Sequence, residues 1–236
     1  MTEKLENLIH HIGESVPEID ADRLVECITD KEYILSHVHV RLLNSKDVRL
    51  SDVIDLDPLY YKVWGETDLH ISYFVDVDDG YIIPLRNTLM DIAHITPKEL
   101  EDVVMEELNN NYKIDALNAL VTRLLDDTTN ELLVTPQDES KMAYVLYGMN
   151  DTAEYGATLA ISDKILSEIC AKLHKNEFYI IPSSIHEMII FPMEYSTDNT
   201  MYIKYMIDSG NKSLKPGEIL SYIPYYYNHG HIASAL

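Results

Sequence analysis

Ser183, Ser184, His186 and Glu187 stand within five consecutive positions and supply the side-chain types a hydrolase would need. Nucleophilic serine chemistry requires a base within hydrogen-bond reach, a carboxylate that orients the base, and donors for the developing oxyanion. The spacing argues against that use. Consecutive strand residues point to opposite faces, so in an extended segment Glu187 does not orient His186. The simpler expectation is that the serines close a tight turn through side-chain to backbone hydrogen bonds while His186 pairs across a hairpin. Ser184, His186 and Glu187 are the catalytic candidates, for a hydrolase or a metal-dependent enzyme that uses nearby carboxylates.

His37 and His39 are the metal candidates. On a strand they share a face and form half a site. The chain has no CxxC and no HExxH, and a lone HxH is usually a solvated or core pair. Its 8 glycines make neither GxGxxG nor GxxxxGK[ST], so no phosphate cradle is spelled out and no cofactor is expected. The third group is Tyr222, Tyr225, Tyr226 and Tyr227. Tyrosine combines large contact area with a polar tip and suits protein interfaces, although a closing strand packed on a sheet would use the same residues.

The elements that must position these groups are partly legible. Leu5, Leu8, Ile9 and Ile12 form one helical stripe, and Tyr33 to Leu43 alternates as a strand does. Ile71 to Leu85 reads as a hairpin around Asp79-Gly80, which makes Asp76, Asp78 and Asp79 turn chemistry rather than a calcium loop. Thr96-Pro97-Lys98-Glu99 is a capping box with proline at the first helical position. Behind it Leu100, Val103, Val104 and Leu108 oppose Glu101, Glu106 and Glu107, and a second amphipathic stretch carries Leu117, Leu120, Val121, Leu124 and Leu125. Lys141 to Tyr147 and Tyr155 to Ile161 read as strands. Ser162 caps a helix with the stripe Ile165, Leu166, Ile169, Cys170 and Leu173, and a strand, polar turn and strand follow over 178–191. These elements predict an α+β fold, a mostly antiparallel sheet with packed amphipathic helices in a single compact domain over 1–236. Possible seams fall near 126–130 and 149–155.

Charge narrows the partners. The 236 residues carry 18 Lys+Arg against 40 Asp+Glu, a formal net charge of −22 at pH 7. Residues 1–95 hold 8 basic and 19 acidic groups, residues 96–160 hold 4 and 13, and residues 161–236 hold 6 and 8. Direct nucleic-acid binding and docking on anionic membrane are excluded as expectations, because both draw their affinity from Lys and Arg. No window approaches a membrane span, the first fifteen residues do not read as a signal peptide, and Cys27 and Cys170 read as buried free thiols. A cytoplasmic protein is expected, with its oligomeric state open.

The string Phe178-Tyr-Ile-Ile-Pro-Ser-Ser-Ile-His-Glu187 resembles the hallmark segment of a bacterial family catalogued as domain of unknown function 5688. Arg41-Leu42-Leu43-Asn44, Arg49-Leu50, the Asp57 to Tyr61 stretch and the Ile95-Thr96 helix start resemble its middle. Gly156-Ala157, Ile165-Leu166 and Pro216-Gly217-Glu218-Ile219-Leu220-Ser221, ahead of Tyr225 and Tyr227, resemble its end. Pro224 and Tyr226 depart from the tail pattern, and the part before residue 36 is short. The resemblance implies a fold and a setting, anaerobic gut bacteria and mobile-element genes, without implying an activity.

The function expected from these readings is that of a non-catalytic acidic interaction protein that docks on a basic protein partner, as a nucleic-acid mimic or inhibitor. The carboxylates Glu99, Glu101, Glu106 and Glu107 and the tyrosines Tyr225, Tyr226 and Tyr227 are its interaction candidates. Duplex DNA carries one charge per about 1.7 Å of axis, so 22 charges correspond to about 37 Å, a length a domain of this size can present.

Overall fold

The computed structural model describes Glu6, Ile9 and residues 20–47, 59–77, 81–124, 138–148, 155–193 and 199–236. Of the expected N-terminal helix, Glu6 and Ile9 are described, both helical. Both expected seams and the Asp79-Gly80 turn fall mostly or wholly outside the described residues. The contacts of the chain divide it into two units: residues 1–41, 45–62 and 70–107, and residues 42–44, 63–69 and 108–236.

In the N-terminal unit, aspartates punctuate the first helices. The Asp20 carboxylate accepts the Arg23 amide at 2.9 Å and opens α1 (Ala21–Thr29), and Asp30 accepts the Tyr33 amide at 2.7 Å and opens α2 (Lys31–His37). The strand β1 (Val38–Asn44) begins only after α2, so the strand expected over Tyr33–Leu43 is helical in its first half. Local hydrogen bonds decide this. Ser36 Oγ donates back to the Glu32 or Tyr33 carbonyl and the His37 ring bonds the Tyr33 carbonyl, contacts that exist only if the turn is wound.

Next come β2 (Tyr61–Val63), β3 (Leu69–Val77) and β4 (Tyr81–Pro84), with β3 central and bonded to β1, β2 and β4. The expected hairpin is present, since β4 pairs antiparallel with β3 from Phe74↔Pro84 to Val77↔Tyr81. After α3 (Asn87–Ile92), the capping box starts α4 (Pro97–Leu108) as predicted: the Thr96 amide donates to Glu99 Oε2 at 3.0 Å, and the Glu99 amide donates to Thr96 Oγ1 at 3.3 Å. Leu100 and Val104 are the buried members of its stripe.

The C-terminal unit is built on a six-stranded antiparallel sheet. A strand, β5 (Tyr112–Ala116), separates α4 from α5 (Leu117–Leu124), so the two expected helices are not consecutive. The other elements are β6 (Tyr144–Gly148), α6 (Asp163–Leu173), β7 (Glu177–Pro182), β8 (Glu187–Pro192), α7 (Asn199–Asn211), β9 (Tyr225–Asn228) and β10 (His231–Ser234). The strand order is β10-β9-β7-β8-β6-β5. Ser162 Oγ accepts the Ile165 amide at 3.3 Å, confirming the expected cap of α6.

Each face of this sheet carries its own layer. Tyr179 and Ile181 of β7 and Ile189 and Phe191 of β8 pack on Ile203 and Ile207 of α7. On the opposite face Phe178, Ile180, Met188 and Ile190 are wholly buried, and the Tyr227 ring stacks on Phe178 at 4.5 Å. Cys170 of α6 and Tyr227 line the same small cavity, which puts α6 on that face. Burying side chains this size stabilises by roughly 1.5–3 kcal/mol each. The segment expected as a strand over Tyr155–Ile161 is instead a 3-10 helix, Gly156–Ile161, all of it buried. Among the described residues, no helix is long and apolar enough to cross a membrane.

Candidate functional site

The carboxylates of α4 meet different neighbours from one turn to the next. Glu99 is tied to its cap and to Lys31, whose Nζ lies 2.6 Å from Oε1. The Lys31 hydrogen bond, followed by those from Thr96, holds the Glu99 carboxyl down to about 2. Glu101 pairs with Lys62 at 2.8 Å, and Asp102 with Lys98 at 2.7 Å one turn away. Glu107 is shifted the other way, its carboxyl raised by desolvation and then by the charge of Asp76. Glu106 is exposed, and no described cation lies within ion-pair distance of it.

The same partition runs through the rest of the unit. Arg23 pairs with Glu26 at 3.1 Å, and Arg41 and Arg86 are buried. Asp22, Glu32 and Asp91 are exposed and, among the described residues, have no ion-pair partner. Among the described residues six cations of this unit, Arg23, Lys31, Arg41, Lys62, Arg86 and Lys98, are thus matched or buried, while carboxylates without an ion-pair partner face solvent on α1, α2, α3 and α4.

The residues singled out for hydrolysis close the β7–β8 hairpin. Ser183 Oγ donates to Glu187 Oε1 at 2.8 Å, and Ser184 Oγ accepts the His186 amide at 3.0 Å. His186 Nδ1 accepts the Tyr155 amide at 3.3 Å. In neutral His186 that bond puts the ring proton on Nε2, which is then a donor and not a base. Glu187 is engaged by Ser183, and among the described residues no carboxylate is hydrogen-bonded to the ring. Gly156 presses on the same turn: a Cβ there would sit 2.3 Å from the His186 carbonyl oxygen and 2.6 Å from the Gly148 nitrogen. Ser184, His186 and Glu187 therefore hold backbone in place.

His37 and His39 do not form half a metal site. His37 ends α2 with its ring stacked on Tyr33 at 4.0 Å, whereas His39 lies on β1 with Nδ1 3.5 Å from Asp76. Desolvation, then the Arg41 charge, lowers the His39 pKa against the pull of Asp76. Among the described residues no three His, Cys, Asp or Glu side chains gather in a way that could hold a metal ion.

The tyrosines divide as well. Tyr225 and Tyr227 are buried in β9, which removes them from the surface candidates, and Tyr226 is partly exposed against Tyr179. Alternation explains it: β9 pairs with β7, so its odd positions face the layer beneath α6. Cys27 is buried, and Cys170 is only half-buried, with its thiol raised by desolvation.

Sequence reasoning missed Asp68, the half-buried focus of a polar cluster in the C-terminal unit. Its carboxylate accepts from the Tyr225 hydroxyl at 2.5 Å, from Ser221 Oγ at 3.1 Å and from Asn44 Nδ2 at 2.7 Å. These partners lie 157, 153 and 24 residues away in the chain, so no local spacing announces them. Burial, then the Asp68 charge, pushes the Tyr225 phenol far up, and the Trp64 ring meets Tyr225 edge-on at 5.5 Å. Several segments that carry the family resemblance meet here and at the hairpin. Asn44, Ser221 and Tyr225 converge on Asp68, the Leu42 amide donates to Thr158 Oγ1, and the Ile185 amide donates to the Glu218 carbonyl.

A family model described as a family of unknown function (DUF5688) matches residues 1–229. The match begins well before residue 36, where the sequence resemblance starts. No curated protein and no solved structure matches the chain.

Proposed function

The chain belongs to the DUF5688 family, and from that premise we propose that it is a non-catalytic interaction protein whose acidic helices dock on a basic protein. One observation carries the reading: among the described residues Arg23, Lys31, Lys62 and Lys98 are paired and Arg41 and Arg86 are buried, while Asp22, Glu32, Asp91 and Glu106 stay exposed without an ion-pair partner. Surface ion pairs contribute little to stability. Carboxylates left over from such pairing act outward, steering a partner of opposite sign. The hydrolase alternative has no comparable support, because its serines, histidine and glutamate are engaged in turn hydrogen bonds. A bacterial cytoplasm with mobile-element genes would supply basic nucleic-acid-handling proteins as partners, and the acidic face would take the place of their phosphates.

The test is retention of basic proteins from the native host on the immobilised chain at low and raised salt, repeated with Glu32→Lys/Glu106→Lys. The expected result is capture that falls with salt and weakens on charge reversal. Failure to retain a basic protein at low salt, or retention indifferent to both changes, would overturn the proposal.

A further inference from the structure

The outer face of α7 is apolar and uncovered. Met201, Tyr202 and Tyr205 are 72%, 62% and 67% exposed, whereas Ile203 and Ile207 on the inner face are buried against β7 and β8. The helix is locally balanced in charge, since Lys204 is bonded to both oxygens of Asp208 at 2.8 Å. Among the residues of α7 itself a basic partner finds no surplus carboxylate, and a second copy of the helix meets no uncompensated like charge. That distinguishes α7 from α4, where two copies would repel.

We infer that α7 is a self-association surface, on which two copies pack their outer faces antiparallel about a two-fold axis at Tyr205. A two-fold interface must be self-complementary, each residue meeting a partner position that meets it in return. The spacing along α7 satisfies this. With Tyr205 opposite its own counterpart, Met201 lies opposite the small, exposed Ser209, and Tyr202 lies opposite Asp208, where its hydroxyl can donate to the carboxylate. Large faces small, and a phenol faces an acceptor.

Size sets the strength. Aromatic and similarly large side chains offer roughly 150–250 Å² each, so three of them at about two-thirds exposure present on the order of 400 Å² per copy. That is about half of a standard interface of ~800 Å² per partner, which makes the dimer weak and concentration-dependent.

The test combines sedimentation with directed crosslinking of the full chain. Sedimentation equilibrium from about 1 to 300 µM should show the mass rising towards a dimer, and Tyr205→Glu should raise the dissociation constant at least ten-fold with an unchanged unfolding curve. Under mild oxidation, and scored against the unsubstituted chain, Tyr205→Cys should crosslink to itself. Met201→Cys should not, because in this register the two copies of position 201 are separated by eight residues, about 12 Å of helix axis, beyond disulfide reach. A mixture of Met201→Cys and Ser209→Cys chains should crosslink. A monomer throughout that range, or self-crosslinking by Met201→Cys in preference to Tyr205→Cys, would overturn the inference.

Discussion

The two units use polar groups in opposite ways. In the N-terminal unit Arg41 and Arg86 are buried, but the described ion pairs lie at the surface: Lys31 reaches Glu99, Lys62 reaches Glu101, Lys98 reaches Asp102, and the exposed surplus is acidic. In the C-terminal unit the decisive polar groups are uncharged partners around one carboxylate and one turn, with Asn44, Ser221 and Tyr225 on Asp68 and Ser183, Ser184 and His186 in the hairpin. Exposed ion pairs contribute about 0–1 kcal/mol each, whereas a hydrogen bond to a charged group is worth about 1.5–3 kcal/mol. The exposed carboxylates of the first unit are therefore free to serve recognition, and the groups around Asp68 and the hairpin in the second are committed to the fold. Identity of residue type says little here, and surroundings say most.

The comparison breaks first at Gly156. Gly156→Ala places a methyl group against two backbone atoms that cannot rotate away, and it should cost about 3 kcal/mol or more in urea unfolding. A loss below 1 kcal/mol would mean that the hairpin and the 3-10 helix are not clamped together. Tyr225→Phe removes a hydrogen bond to Asp68 without opening a cavity, and about 2 kcal/mol should be lost in the same assay. Thr96→Ala should cost about 1 kcal/mol through the lost cap, the largest effect expected from a polar surface substitution on α4. Glu106→Gln should leave stability within about 0.5 kcal/mol while weakening any salt-sensitive association.

Acid should find the N-terminal unit in two steps. His39 has a folded pKa below its ordinary 6.5, so the unfolded chain takes up the proton first and stability is lost as pH falls below about 6.5. Glu99 has a folded pKa of about 2 against 4.5, so its contribution is complete above 4.5 and is lost as pH falls from 4.5 towards 2. Unfolding curves recorded at stepped pH should show both, and Lys31→Met should diminish the lower step while sparing the upper. A Lys31→Met curve that overlays the parent below pH 4.5 would break the assignment.

The sequence by itself determined what depends on neighbours three or four positions away. The Thr96 box, the Ser162 cap and the α6 stripe were readable, because their donors and acceptors lie within one helical turn. The β3–β4 and β7–β8 hairpins were readable from polar turns between β-forming runs. Misreadings arose where local signals conflict. Alternation over Tyr33–Leu43 looked extended although Asp30 and Ser36 wind its first half, and buried Gly156–Ile161 had the apolar density of a strand. The α7 helix gave no clear stripe, since Met201, Tyr202 and Tyr205 on one side and Ile203 and Ile207 on the other are all apolar.

Tertiary structure alone decided which residues face in and which face out. Nothing within a few residues of Asp68 shows that Asn44, Ser221 and Tyr225 will reach it, and nothing near Glu99 or Glu101 shows that Lys31 and Lys62 will. Those contacts form only when distant strands and helices pack. Burial then decides their meaning: it turns Tyr225 and Tyr227 into core, Ser184 and His186 into a turn, and leaves Glu106 and the outer face of α7 to the solvent.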